Sequence, residues 1–181
     1  WGVVMDRVDG PSLVEVASRA PAARDDTLGA MAALHARIHE QPGRRLVSLK
    51  ARLAAQIAEA PGLGEARQAR LRAALAERPD GHRLCHGDFH PYNILGEAGS
   101  ESVVDWLDAS AGDPAGDVCR TFVLMTPHAP DLAARYVAVY AATTGLGEDA
   151  IRAWLPVVAA ARLAEGVLEE TDGLMAMADS V

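Results

Sequence analysis

Apolar residues recur at three- and four-residue steps through the first half of the chain, in three runs that each stop at a turn containing Pro and Gly. The first run lies within residues 22–40, the second ends at Pro61-Gly62, and the third stops near residues 79–81. The residues at these steps are Leu28, Met31, Leu34 and Ile38, then Leu46, Leu49, Leu53 and Ile57, then Leu71 and Leu75. Because this spacing places the side chains on one face of a helix, we predict three amphipathic helices.

The second half of the chain continues the helical pattern. Asp113 followed by Pro114 is typical of a helix start, with Asp at the N-cap and Pro at the first helical position. We predict helices over residues 114–125, 131–143 and 148–170. Of the 181 residues, 50% are hydrophobic but only 4% are aromatic, so Ala, Leu and Val must fill the core of a single domain. Ala and Leu are strong helix formers, which agrees with this prediction.

Short extended segments accompany the helices. Residues 1–8 predict a strand that enters a turn at 9–11, after which Ser12 is placed to cap a short helix. Three more short strands are predicted in the middle of the chain, over residues 82–86, 92–95 and 102–104. The fold class is therefore predicted to be α+β, as a mostly helical domain with a small β segment.

The charge and the cysteines limit the partners and the compartment. The formal net charge is −8, whereas nucleic-acid-binding domains usually present a basic face, so we expect no nucleic-acid partner. Neither Cys85 nor Cys119 belongs to a C-x-x-C spacing, and a reducing cytoplasm is the expected location. Apolar runs such as 153–161 end at a charge, here Arg162, well short of a membrane span, so no membrane association is expected.

The residues most informative about chemistry lie in the middle β segment, at positions 85–95. Asp88 and Asn93 stand in a loop between two predicted strands, and Asp105 ends a later strand. Phosphoryl transfer from a nucleotide needs a carboxylate that positions the attacking hydroxyl and accepts its proton, together with oxygen ligands for Mg²⁺. In that order, Asp88 fits the catalytic role, and Asn93 and Asp105 fit the roles of metal ligands.

The stretch Cys-His-Gly-Asp-Phe-His-Pro-Tyr-Asn-Ile-Leu at 85–95 resembles the catalytic loop of the aminoglycoside phosphotransferase and choline kinase superfamily. A second motif of that family, Ile-Asp-Trp followed by Gly-Asp-Pro-x-x-Asp, is similar to residues 104–106 and 112–117. Residues 3–10 resemble the strand and hinge that join the two lobes of such enzymes. The resemblance runs along the whole chain, and two motifs in the family's order make it specific.

The resemblance implies a protein-kinase-like fold and the transfer of the γ-phosphoryl group of ATP or GTP, with Mg²⁺, to a hydroxyl of a small molecule such as an aminoglycoside-type antibiotic. It also implies roles for matching positions. Adenine would contact Met5, Asp6 and Val8; His86 and Asp117 would brace the catalytic loop; and Asp108, Glu165 and Glu169 would contact the substrate.

Residues 1–10 are interpreted as the end of an N-lobe strand and the hinge, and residues 11–181 as the helical C-terminal lobe that carries catalysis. A complete kinase fold also has an N-terminal lobe with a loop over the phosphates and a strand lysine. The only lysine, Lys50, lies on a helical pattern after the hinge. We therefore expect that the N-terminal lobe is absent from this chain, that the chain alone binds nucleotide weakly, and that an exposed inter-lobe surface supports a homodimer.

Two other functions fit parts of the sequence. His86 and His90 flank Asp88, and with His128 they suggest a zinc hydrolase site. The chain could also be a non-catalytic fragment or a binding module that keeps the lobe without activity. The acidic residues near the C-terminus can also be interpreted as an ordinary solvated face of a helix instead of a substrate contact. They are Glu165, Glu169, Glu170 and Asp172.

Four other side chains have structural interpretations. His35 lies near the apolar face of its helix and is predicted to be a hydrogen-bonded core residue, whereas His39 and His82 are predicted to lie at the surface. Cys85 is predicted to be a small buried side chain rather than a nucleophile.

Overall fold

The computed structural model describes residues 6–19, 24–96 and 99–180, which form nine α-helices and four short strands. Helices α1 to α4 span Leu13–Arg19, Arg24–His39, Leu49–Glu59 and Glu65–Ala76. Strands β1 to β4 span Arg83–Cys85, Ile94–Leu95, Ser102–Val103 and Ser110–Gly112. Helices α5 to α9 span Pro114–Met125, Pro130–Thr144, Glu148–Arg152, Leu155–Arg162 and Thr171–Ala178. The predicted α+β class, mostly helical with a small β segment, is confirmed.

The N-termini of several helices are capped by the side chains that the sequence offers for this purpose. Ser12 and Glu15 form a reciprocal pair at α1: the Ser12 N–H donates to the Glu15 carboxylate at 2.7 Å, and the Glu15 N–H donates to the Ser12 hydroxyl at 3.3 Å. At α5, the Asp113 carboxylate accepts from the Ala115 N–H at 2.8 Å, and Pro114 follows as predicted.

Two of the predicted elements differ in the structure. The single helix predicted over 148–170 is wrong: α7 ends at Arg152, Pro156 lies in the first turn of α8, and a 3₁₀ turn at Leu163–Glu165 follows α8. Proline lacks the N–H that a continuous helix needs, and Gly166 adopts a left-handed φ of 70° that ends this turn. Of the strand predicted over 1–8, residues 1–5 lie outside the described residues and 6–8 form no strand.

The four strands form two small antiparallel pairs on either side of the loop that contains Asp88 and Asn93. Strand β1 pairs with β4, so that Leu84 lies opposite Ala111. Strand β2 pairs with β3, so that Ile94 lies opposite Val103. The loop between β1 and β2 is fixed at one end by the β1–β4 pair and at the other end by the β2–β3 pair. The segment between β3 and β4 therefore lies next to this loop.

Helix α5 lies at the centre of the core and packs against α6 and α8. Nine of its residues are buried, among them the polar residues Asp117, Arg120 and Thr121. A helix buried on most sides is normally apolar, so these three side chains need partners within the protein. Both cysteines are buried, and burial raises the pKa of the Cys85 and Cys119 thiols, which confirms the structural interpretation of Cys85.

No helix within the described residues combines the length and the apolar character that a membrane-spanning segment requires.

Glycine at position 116 allows α5 to approach its neighbours closely. A Cβ atom there would lie 2.8 Å from Cδ2 of Leu49 in α3 and 3.1 Å from the indole ring of Trp154. By contrast, Gly29 within α2 has no atom within 4 Å of the position that its Cβ would occupy. The same substitution at the two positions therefore separates the effect of packing from that of backbone entropy.

We expect Gly116→Ala to lower the free energy of unfolding by about 1–3 kcal/mol, because the added methyl group overpacks the contact with Trp154. Gly29→Ala should raise it by about 0.5–1 kcal/mol, because alanine is the better helix former. Urea unfolding monitored by circular dichroism measures both effects. Equal changes for the two variants would contradict the close approach at Gly116.

Candidate active site

Asp88 lies in the loop between β1 and β2 and is held by Asn93. The Asn93 side-chain amide donates to the Asp88 carbonyl at 3.0 Å and to its carboxylate at 2.9 Å. Nε2 of His90 is 3.4 Å from the same carboxylate. Asp88 is half-buried, so one side of its carboxylate stays accessible. The structure thus brings together the first two residues of the predicted constellation.

The ionisation of Asp88 suits a proton acceptor. Burial alone would raise its pKa, but the hydrogen bond and charge of His90, the charge of Arg120 and the amide of Asn93 lower the pKa of Asp88 below its ordinary value. The carboxylate is therefore ionised at neutral pH and can accept a hydrogen bond from a hydroxyl group.

Gly87 allows the loop to turn just before Asp88. Its φ is +82°, and a Cβ at this position would lie 2.4 Å from the carbonyl oxygen of Asp108. Only glycine combines this left-handed backbone with such a close approach. The loop consequently packs directly against Asp108, in the segment that follows β3.

Asp117, a buried residue of α5, holds the loop through hydrogen bonds to its backbone. Its carboxylate accepts the backbone N–H of His86 at 2.6 Å and that of Gly87 at 2.8 Å. It also accepts Nε2–H of His35 at 3.0 Å and of His39 at 3.1 Å. Burial would raise the pKa of Asp117, but the hydrogen bonds from the two histidines lower it well below its ordinary value. The buried carboxylate stays charged because four N–H groups point at it.

Each of the two histidines that donate to Asp117 also accepts a hydrogen bond from a tyrosine. The Tyr136 hydroxyl donates to Nδ1 of His35 at 2.6 Å, and the Tyr140 hydroxyl donates to Nδ1 of His39 at 2.7 Å. His35 is a hydrogen-bonded core residue, as predicted. The prediction of a surface position for His39 is wrong, because this residue lies one helical turn after His35 and faces the same buried carboxylate. His82 is exposed, as predicted.

His86 connects Asp88 to the strand pair that leads to Asp105. Its Nδ1 accepts the N–H of Asp88 at 3.2 Å, so its proton is on Nε2, which donates to the carbonyl of Val104 at 3.0 Å. Burial lowers the pKa of His86, which keeps the ring neutral in this tautomer.

Asp105 stands beside Asn93 because β2 and β3 are paired. The N–H of Val104 donates to the carbonyl of Asn93 at 3.0 Å, and Asp105 follows directly. Asp105 has a φ of +63°, which is uncommon for a residue other than glycine and is often found at functional sites. Its exposed carboxylate has no hydrogen-bond or ion-pair partner among the described residues.

These two residues fit the ligand preference of Mg²⁺. The Asn93 side-chain nitrogen is directed at Asp88, so its side-chain oxygen is directed away and accepts no hydrogen bond from a described residue. Amide and carboxylate oxygens are the ligands that Mg²⁺ prefers, and Asn93 and Asp105 supply one of each.

The segment that the sequence predicts to contact the nucleotide enters the domain beside β2. The N–H of Gly96 donates to the carbonyl of Pro11 at 2.9 Å, and Ser12 forms a bridge with Leu95. Asp6 and Val8 are exposed just before this contact. Met5 lies outside the described residues. The preceding segment is thus on the side of β2, the strand that follows Asn93.

Two residues of α5 that the sequence prediction missed also hold the loop. Nε of Arg120 donates to the carbonyl of Gly87 at 3.1 Å, and the Thr121 hydroxyl donates to the carbonyl of Phe89 at 2.7 Å. They lie one turn after Asp117, so helical periodicity was the signal that could have identified them.

The acidic residues proposed for the substrate have different surroundings. Asp108 pairs with Arg52 at 2.7 Å, and Glu165 pairs with both Arg120 and Arg162. Glu169 is exposed. Of these carboxylates, two are therefore already paired with arginines of the protein.

The arrangement does not favour the zinc hydrolase hypothesis. Both ring nitrogens of His86 are bonded to the backbone, so neither is free to bind zinc. Within the described residues, the three potential ligands that approach within 4.8 Å of one another are His35, His39 and Asp117. Their polar atoms hydrogen-bond to each other, to the tyrosines and to the loop, which accounts for the cluster without an ion.

The buried histidines make the stability of the domain dependent on pH. Burial, followed by the charge of His39, lowers the pKa of His35 to about 3, whereas the ordinary value is 6.5. The unfolded chain therefore binds a proton at this residue below pH 6.5, and the folded chain does not until about pH 3.

We expect the free energy of unfolding to fall as the pH decreases from 6 to 4, by about 1.4 kcal/mol per pH unit for His35 alone. His35→Gln should flatten this dependence by that amount, whereas His82→Gln, at an exposed position, should leave it unchanged. Chemical denaturation at several pH values measures the slopes. Equal slopes for His35→Gln and the parent protein would contradict a neutral, buried His35.

Comparisons with known proteins agree with this geometry. The sequence model of the phosphotransferase enzyme family matches residues 2–154. None of the curated proteins in the comparison shows significant similarity. A thermostable mutant of aminoglycoside phosphotransferase APH(4)-Ia in its apo form superposes with a TM-score of 0.68 and 16% identity, over 96% of this chain and 69% of the other.

Two further solved structures are similar. A complex of an APH(4)-Ia mutant with ADP and hygromycin B has a TM-score of 0.65 and 15% identity, over 94% of this chain and 66% of the other. An aminoglycoside-3'-phosphotransferase of type VIII has a TM-score of 0.58 and 21% identity, over 88% of this chain and 66% of the other. The chain spans about two thirds of the length of these relatives. The structural similarity establishes the fold, and the match over residues 2–154 establishes that the chain belongs to the phosphotransferase enzyme family.

Proposed function

We propose that this domain transfers the γ-phosphoryl group of ATP or GTP to a hydroxyl group of a small molecule. The observation that carries the proposal is the direct hydrogen bond between Asn93 and the ionised Asp88, beside an unpaired Asp105. Asp88 and Asn93 lie on a loop whose backbone is held by three side chains of α5, those of Asp117, Arg120 and Thr121.

Asp88 would orient the acceptor hydroxyl and take up its proton. The hydroxyl oxygen forms a bond with the γ-phosphorus, the bond from that phosphorus to the bridging oxygen breaks, and the nucleoside diphosphate leaves with this oxygen. The low pKa of Asp88 makes it a weak base, so it acts first by orienting the hydroxyl and receives the proton late. This agrees with phosphoryl-transfer transition states, in which bonding to the nucleophile is weak.

Asn93 and Asp105 would hold Mg²⁺, which offsets the negative charge of the phosphates when it is bound. The amide nitrogen of Asn93 keeps Asp88 in position at the same time, because it donates to both the carbonyl and the carboxylate of that residue. Loss of Asn93 should consequently affect both the metal requirement and the position of the proton acceptor.

The backbone at Met5, Asp6 and Val8 would contact the adenine or guanine base. The support for this proposal is the position of residues 6–8 before the contact of Pro11 and Ser12 with the end of β2. The solved complex of the APH(4)-Ia mutant with ADP and hygromycin B supports a nucleotide as the phosphoryl donor.

Asp88→Asn in the product of the complete reading frame should lower turnover by about a hundredfold or more, because the amide cannot accept the proton. Its thermal midpoint should stay close to that of the parent, since the carboxylate is half-buried and the Asn93 bond to the Asp88 carbonyl remains. Asp80→Asn, at an exposed position, is the matched control. Transfer of radiolabelled phosphate from ATP to a panel of hydroxyl compounds measures turnover; near-normal turnover in Asp88→Asn would falsify the assignment.

Asp105→Ala and Asn93→Ala should each increase the Mg²⁺ concentration needed for half-maximal activity, because each substitution removes an oxygen ligand. Asp149→Ala, an exposed acidic residue of α7, should leave this concentration unchanged. Titration of activity with Mg²⁺ at saturating nucleotide compares the three variants. If both site variants saturate like the parent, neither residue is a metal ligand.

A further inference from the structure

A cavity of about 490 Å³ lies next to the catalytic loop, a size at which protein pockets bind small molecules. Apolar side chains from four helices form most of its wall. They include Val14 and Ala17 of α1, Met31 of α2, Leu124 of α5 and Leu132 of α6.

One end of the cavity reaches the proposed catalytic residue. His90, Pro91 and Tyr92 of the catalytic loop line this end, and Nε2 of His90 is 3.4 Å from the Asp88 carboxylate. Arg162 also lines the cavity. A molecule bound in the cavity therefore contacts His90, the residue whose ring lies next to the Asp88 carboxylate.

The charged residues of the cavity wall neutralise each other. Nε of Arg162 donates to one carboxylate oxygen of Glu170 at 2.8 Å, and Nη2 donates to the other oxygen at 3.0 Å. The remaining Nη1 donates to Glu165, which also pairs with Arg120. Both oxygens of Glu170 are thus used within the protein, and the two arginines balance the two glutamates.

This pairing makes the Glu170 carboxylate unavailable to an ammonium group of a polycationic substrate. An ammonium group that enters an apolar cavity without a carboxylate partner loses its hydration without compensation. Of the described carboxylates that line the cavity, Glu170 alone is present, and it is buried and already paired in a two-bond geometry with Arg162. An apolar molecule, in contrast, gains from contact with α1, α2 and α5.

Resting on the proposed function, we propose that the acceptor is a largely apolar alcohol with little or no positive charge, rather than a polycationic aminoglycoside. Its hydroxyl group lies at the His90 end, beside Asp88, and its apolar body lies among Val14, Met31 and Leu124. The alternating charges of Arg162 and Glu170 set the polar boundary of this binding site.

Binding to the cavity can be measured without nucleotide, so the test does not depend on catalysis. The neutral, solvatochromic dye Prodan is titrated into the product of the complete reading frame and then displaced with 4-cyclohexylbutan-1-ol or with kanamycin A. We expect Prodan to bind with a blue-shifted emission, the alcohol to displace it, and kanamycin to leave it bound.

Variants locate the binding. Val14→Asp and Leu124→Asp place a carboxylate in the cavity wall at half-buried positions, and each should weaken Prodan binding by about tenfold or more, because an unpaired charge is unfavourable there. Ala17→Leu, which fills the cavity without adding a charge, should also weaken binding. It keeps the test valid if the aspartate variants do not fold. Val47→Asp is the control, since Val47 is exposed and does not line the cavity.

The outcomes separate this proposal from the proposed function. Displacement of Prodan by kanamycin but not by the alcohol overturns the apolar substrate class, as does equal Prodan binding in Ala17→Leu and the parent, or no Prodan binding at all. A parallel assay of phosphate transfer from Mg·ATP to both compounds tests the activity itself. Transfer to kanamycin alone would leave the phosphotransferase function intact and contradict this inference, whereas cavity binding without transfer to any acceptor would contradict the function alone.

Discussion

The conformation of the loop that carries Asp88 depends on one buried charge, the carboxylate of Asp117. Transferring an ionised carboxylate into a protein interior costs several kcal/mol, and only a full set of hydrogen bonds offsets this. Here two of the four N–H donors belong to the peptide groups of His86 and Gly87. The loop cannot move away without leaving the charge incompletely bonded. The free energy that keeps Asp117 charged is therefore the same free energy that holds the loop in its conformation. The short irregular segment is thereby fixed to the core of the domain.

Much of this organisation could be predicted from local sequence patterns. Helical periodicity identified α2 to α4, and the Asp113-Pro114 pair marked the start of α5. Motif spacing correctly indicated that Asp88 and Asn93 lie together, because the two residues share one loop. The resemblance of residues 112–117 to a family motif also singled out Asp117. These features are predictable because each is determined by residues close together in the chain.

The remaining features depend on contacts between residues far apart in the sequence, or on helix-breaking residues that the apolar periodicity does not reveal. His39 pairs with Tyr140, 101 positions away, and no local pattern indicates such a contact. The pairing of Asp108 with Arg52 spans 56 positions, and only the fold reveals it. By contrast, Pro156 and Gly166 were visible interruptions of the helix predicted over 148–170, and the apolar period was given too much weight there.

The alternating series Arg120, Glu165, Arg162 and Glu170 has a consequence for how such a protein can diverge. It begins at a side chain that holds the Gly87 carbonyl and ends in the wall of the cavity. Removing Arg162 would leave the buried carboxylate of Glu170 without its partner. The loss of one partner of a buried ion pair costs roughly 3–5 kcal/mol, a large part of the total stability of a domain. Replacement of Arg162 is therefore favoured only together with a change of Glu170, so that the charge of the cavity wall evolves by paired substitutions while the loop that carries Asp88 stays in place.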